Sequence, residues 1–79
     1  MLIYAYKVPL PASWKDHFES LDLTDASQEI VECPTRCGTK YALIYSNELA
    51  AEKIDYYREQ LVLRMGPCSE HPGLFKFTV

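Results

Sequence analysis

The chain reads as a single small α+β domain: a mixed β-sheet of about four strands in the order β-α-β-β-α-β, a long helix packed on one face, and a second, short helix. Three observations carry that reading. Runs rich in tyrosine and branched residues alternate in polarity with the period of a strand. One apolar stripe recurs instead at helical spacing. And 79 residues suffice for one core, at a size where a folded chain buries only about 60–65% of its unfolded surface.

The first strand is expected over Leu2 to Val8, with Tyr4, Tyr6 and Val8 on one face and Ile3, Ala5 and Lys7 on the other. Pro9 and Pro11 end it, because proline cannot donate to a ladder. Ser13 and Asp16 then suit a helix start. Trp14, Phe18 and Leu21 follow at i, i+4 and i+7, one face of a short helix. Gln28 to Cys33 and Thr39 to Tyr45 read as two strands joined by the turn Pro34 to Gly38, a hairpin with Cys33 closing one arm and Cys37 opening the other. Ser46-Asn47 offers an N-cap, and Ala50, Ile54, Tyr57, Leu61 and Met65 mark the buried stripe of a helix from Glu48 to Met65. Gly66 and Pro67 stop it, glycine as the left-handed residue and proline as the block. The last strand points Phe75, Phe77 and Val79 inward, with Lys76 and Thr78 outward.

Element lengths bring distant residues together. The strand from Thr39 leads away from the cysteine turn by about 23 Å, and the helix returns by about 27 Å. Cys68 and His71 therefore arrive level with Cys33 and Cys37. The last strand then runs parallel to the Thr39 strand, a crossover that makes the sheet mixed.

The pairs Cys33-x₃-Cys37 and Cys68-x₂-His71 have the spacing at which one turn supplies two corners of a tetrahedral zinc site. Cys33-Pro34-Thr35-Arg36-Cys37-Gly38 resembles the zinc knuckles of ribbon-like domains, whose pattern is Cys-Pro-x-x-Cys-Gly. It departs from them by taking its second pair from beyond a long helix. The resemblance implies a zinc-binding turn over Cys33 to Gly38, and no partner or activity. Against it stands the reading of the cysteines as small buried hydrophobes and of His71 as a surface residue. An odd number of cysteines argues against a closed disulfide framework.

Composition bounds the rest. A formal net charge of −3 with scattered Lys and Arg gives no basic stripe for a polyphosphate. No apolar run approaches the roughly 18 residues of a membrane span, and the N-terminal residues lack the features of a secretory signal. A cytoplasmic location is expected. With only three glycines and no nucleophile elbow, a phosphate cradle or hydrolase site is not foreseen. His17, a substitute ligand in principle, reads as a solvent-facing helix residue, and Asp16 and Glu19 as a solvated face. Tyr56 stands out as an exposed aromatic, with Tyr4 or Tyr6 a second possibility on the other sheet face.

The expectation is thus a non-enzymatic interaction or regulatory module, its fold supported by structural zinc at Cys33, Cys37, Cys68 and His71. Its partner is expected to be a protein, or a second copy meeting it through the open sheet face. The alternatives are a thiol-dependent redox protein or enzyme using Cys33 or Cys37 with His71 as base, and a zinc-knuckle nucleic-acid binder using Arg36 and Lys40.

Overall fold

The computed structural model describes residues 2–9 and 26–78. They form strands β1 (Leu2–Lys7), β2 (Ala26–Glu32) and β3 (Lys40–Ser46), helix α1 (Ala51–Arg64), a single 3-10 turn (Cys68–Glu70) and strand β4 (Leu74–Thr78). The expected short helix, with Trp14, Asp16, His17, Phe18, Glu19 and Leu21, lies outside the described residues.

The strands make one sheet in the order β2-β3-β1-β4. Strand β1 is antiparallel to both β3 and β4. Strands β3 and β4 therefore run in the same direction, as the length of the connecting helix requires, but they are not neighbours. Since β2 also pairs antiparallel with β3, the sheet is antiparallel throughout and not mixed. The antiparallel order has a legible cause. Ile3, Tyr4 and Ala5 are buried without interruption, the signature of a central strand covered on both faces, and β1 takes the place between β3 and β4.

Side-chain alternation builds the core. Ile3, Ala5, Tyr41, Leu43, Val31 and Phe77 share one face with the buried side of α1, formed by Tyr57 and Leu61 with Met65 at its C-cap. Each fully buried large side chain contributes about 1.5–3 kcal/mol. Rings interlock across the layer: Tyr57 and Phe77 have centroids 5.4 Å apart, Tyr41 and Phe75 5.5 Å. Toward the β2 edge, Arg58 donates to both oxygens of Glu29 (Nε to Oε2 2.7 Å, Nη2 to Oε1 2.8 Å), and Tyr45 donates to Oε1 at 3.0 Å. These bonds, the Arg58 one foremost, hold the Glu29 carboxyl below its usual range against the opposing effect of burial.

The helix begins later than its sequence suggests. Ser46 Oγ accepts from the Glu48 N–H at 3.2 Å and the Ser46 carbonyl accepts from Leu49 at 3.1 Å, so the serine closes a turn rather than capping the helix. Ala50, extended, is the N-cap and makes no side-chain bond. The far end matches expectation: Gly66 is left-handed at φ +62°, where a side chain would be strained.

The second sheet face is not bare. Tyr4 is buried and Ala42 and Ile44 have no exposure at all, so of the anticipated exposed aromatics only Tyr56, 53% exposed, is one; Tyr6 is half-buried.

Leu61→Ala removes a fully buried side chain where α1 meets the sheet. It is expected to cost about 2–5 kcal/mol in urea unfolding with an unchanged m-value. A cost well below 1 kcal/mol would mean the helix does not pack as described.

Candidate metal centre

Two chain segments build the site, and each is held in shape by its own backbone bonds. The first is the β2–β3 turn. The Cys33 N–H bonds the Thr39 carbonyl at 2.9 Å, one rung beyond the strands, and the Arg36 N–H bonds the Cys33 carbonyl at 3.0 Å. Arg36 adopts φ +57° and Gly38 φ +89°. The left-handed Arg36 carries a conformational cost of about 1–2 kcal/mol for a residue with a Cβ. The second segment follows α1. Gly66 turns the chain, the 3-10 turn carries Cys68, closed by the Glu70 N–H on the Pro67 carbonyl at 2.9 Å, and His71 comes next. Tyr41, fully buried at the start of β3, donates its hydroxyl proton to the Pro72 carbonyl and ties this segment to the sheet.

The four residues meet. One donor atom from each of Cys33, Cys37, Cys68 and His71 lies within 4.8 Å of every other, a set that can hold a metal ion. All three cysteines are free thiols. Cys33 and His71 are buried, whereas Cys37 and Cys68 are exposed. The cluster thus sits at the margin of the core, half in and half out.

His71 is aimed. Its Nδ1–H donates to the Met65 carbonyl at 2.6 Å, one of the groups a helix end leaves without an intrahelical partner. That bond selects the tautomer whose Nε2 carries the free lone pair, the usual arrangement behind a metal-ligating histidine. Nε2 faces the sulfurs, 3.3 Å from Cys37 Sγ.

Two threonines complete the surroundings, at positions that the Cys and His spacing does not mark. Thr35 Oγ1 lies 3.0 Å from both Cys33 Sγ and Cys68 Sγ, and Thr39 Oγ1 lies 3.4 Å from Cys37 Sγ. Their signal is a doubled Cys-x-Thr, Cys33-Pro34-Thr35 and Cys37-Gly38-Thr39, which puts a hydroxyl over the sulfur two residues earlier in each case.

Crowding three thiols and an imidazole redistributes their protons. Hydrogen bonding to Cys68 and Thr39 holds the Cys37 thiol down to about 5. The Thr35 hydroxyl lowers the Cys33 thiol. Cys68, facing the Cys37 sulfur, is pushed up. The Met65 carbonyl and then the Cys37 sulfur raise His71 despite its burial. These shifts order the three thiols, Cys37 ionising most readily and Cys68 least.

No protein-family model, no curated protein and no solved structure matches this chain. The geometry of the cluster consequently carries the functional argument. Among the described residues no helix is long and apolar enough to cross a membrane.

In metal-free protein, iodoacetamide is expected to modify Cys37 ahead of Cys33 and Cys68. Because the thiolate is the nucleophile, the rate should be flat above about pH 6 and fall as pH drops through about 5. Mass mapping of the alkylated peptides checks both statements; equal labelling of the three thiols would contradict them.

Proposed function

We propose that this chain is a small non-catalytic interaction module whose fold is held at one end by a structural zinc ion on Cys33, Cys37, Cys68 and His71. The observation that carries the reading is the convergence of these four donors within 4.8 Å from two segments on either side of α1. In a tetrahedral site with Zn–S near 2.3 Å and Zn–N near 2.0–2.1 Å, neighbouring donors stand about 3.5–3.8 Å apart. The Cys37–His71 separation of 3.3 Å is close to that spacing, and closing the widest gap takes a contraction of about 1 Å. Thiolate and imidazole donors favour zinc over the hard cations.

Four protein ligands leave no open position, which is the mark of a structural site rather than a catalytic one. The ion would join the β2–β3 turn to the end of α1, where the two segments otherwise touch through a few polar groups. For a domain of this size such a staple adds materially to a core that by itself supplies only about 3–5 kcal/mol.

One observation favours a second reading. The exposed Cys37 beside His71 forms a thiol–imidazole pair of the kind used in nucleophilic catalysis. Three thiols in one cluster exceed what that chemistry needs, and metal binding would quench it. A nucleic-acid role for Arg36 and Lys40 has less support: Lys40 pairs with Glu32 at 3.7 Å, and the chain is net acidic.

Native mass spectrometry of protein purified without chelator is expected to show one zinc per chain, and Cys68→Ser and His71→Ala to lose it. At free zinc a thousandfold above Kd, linkage adds about 4 kcal/mol. At about 4–8 °C per kcal/mol for a domain of this size, the melting midpoint should rise by at least about 15 °C. Metal-free protein with an unchanged midpoint would overturn the structural-zinc reading. Cys37 alkylation that zinc does not slow would favour the thiol enzyme.

A further inference from the structure

We infer that the outer edge of β4 is a docking site for an extended acidic segment of a partner protein, which adds to the sheet as a fifth strand. The inference needs a protein partner but no metal ion, so it stands apart from the zinc reading.

Among the described residues the edge is open in a specific register. Strand β4 ends the sheet and, among those residues, pairs only with β1. Ile3 stands opposite Phe77, Ala5 opposite Phe75, and the Lys7 N–H bonds the Gly73 carbonyl at 3.0 Å. Hydrogen-bonded pairs alternate along an antiparallel ladder, so Phe75 and Phe77 direct their backbone groups to β1. Those of Leu74, Lys76 and Thr78 point outward, and no described residue takes them. A strand of five residues would span the edge, about 17 Å.

A groove of about 300 Å³ runs along that edge, walled by Tyr56, Gln60 and Arg64 of α1 and floored by Phe77 and Lys76. Tyr56 is 53% exposed there. Arg64 lies over the Phe77 ring at 5.0 Å, on the helix side of the sheet, while Lys76 reaches the other side, 6.0 Å from the Tyr4 ring centre. A strand laid on β4 would thus meet a cation on each face, and among the described residues no carboxylate lines the groove. The opposite edge differs: β2 carries Glu29 and Glu32 and no cation.

The same charges disfavour a second copy as occupant. Lys76 is the middle residue of β4, so antiparallel β4–β4 pairing centred there would set two lysines directly opposite each other, an unfavourable cross-strand pair. Main-chain bonds supply affinity in strand addition and side-chain contacts supply selectivity. Here the selectivity is for carboxylates.

The test uses a fluorescein-labelled octapeptide alternating glutamate and valine, its lysine–valine counterpart, and the glutamate peptide with alternate backbone nitrogens methylated. Anisotropy is measured on protein whose zinc content is determined on the same sample. The glutamate peptide is expected to bind at least tenfold more tightly than either control and to weaken with salt. Its amide shifts should centre on Leu74, Lys76 and Thr78. Lys76→Glu should weaken it at least tenfold, and Arg64→Gln, which keeps a long side chain over Phe77, severalfold, both with unchanged circular dichroism. Equal binding of the lysine peptide, indifference to Lys76→Glu, shifts confined elsewhere, no binding at millimolar peptide, or a dimer that protects the β4 amides would each overturn the inference. Peptide binding by zinc-free protein would sustain it while the zinc reading failed.

Discussion

The packing of α1 against β3 is the constraint from which the rest of the molecule follows. Strand β3 has 7 residues and α1 has 14, so the strand runs about 23 Å outward and the helix about 21 Å back. The near equality is what returns the chain to the level at which it left the cysteine turn. Leu61 and Met65, buried with Tyr41 and Leu43, hold the two elements in that relation. Were the helix a turn longer or shorter, His71 would arrive about 5 Å from the sulfurs, too far to join them.

Much of this was legible in the residues. Alternation marked all four described strands to within about two residues, and the stripe ending at Leu61 and Met65 marked the helix. The level at which Cys68 and His71 meet Cys33 and Cys37 followed from lengths alone. Two things were not legible. Strand order depends on which pairings win in three dimensions, and a crossover from β3 to a neighbouring β4 was the wrong one, although the unbroken apolar run Leu2 to Tyr6 was a hint of a central strand. The helix start was misread because Ser46 and Asn47 are equally good turn formers, and Ser46 bonds locally before the helix begins.

At the cluster, the residue types were visible and their setting was not. Nothing in the spacing marks the Met65 carbonyl as the acceptor for His71, because it becomes available only when the helix ends there. The left-handed Gly66 makes it end. The same glycine that stops the helix thus frees the group that orients the imidazole, and local backbone conformation becomes the source of ligand geometry. Thr35 and Thr39 act similarly from the other segment, where the tight turn brings each hydroxyl back over its own cysteine.

The sheet order also governs when the fold can be finished. Strand β1 lies between β3 and β4, and its register sets Leu2 against Thr78, a pairing across nearly the whole described chain. During synthesis β1 emerges before either of its neighbours exists, and its outer row of amides waits until every other strand has been made. Contacts of such long range are slow to form, since loop closure must precede their reward. An ion bridging Cys33 to His71 would shorten the open chain between β3 and β4 at that stage. Its largest effect would then fall on how fast the last strand finds its place.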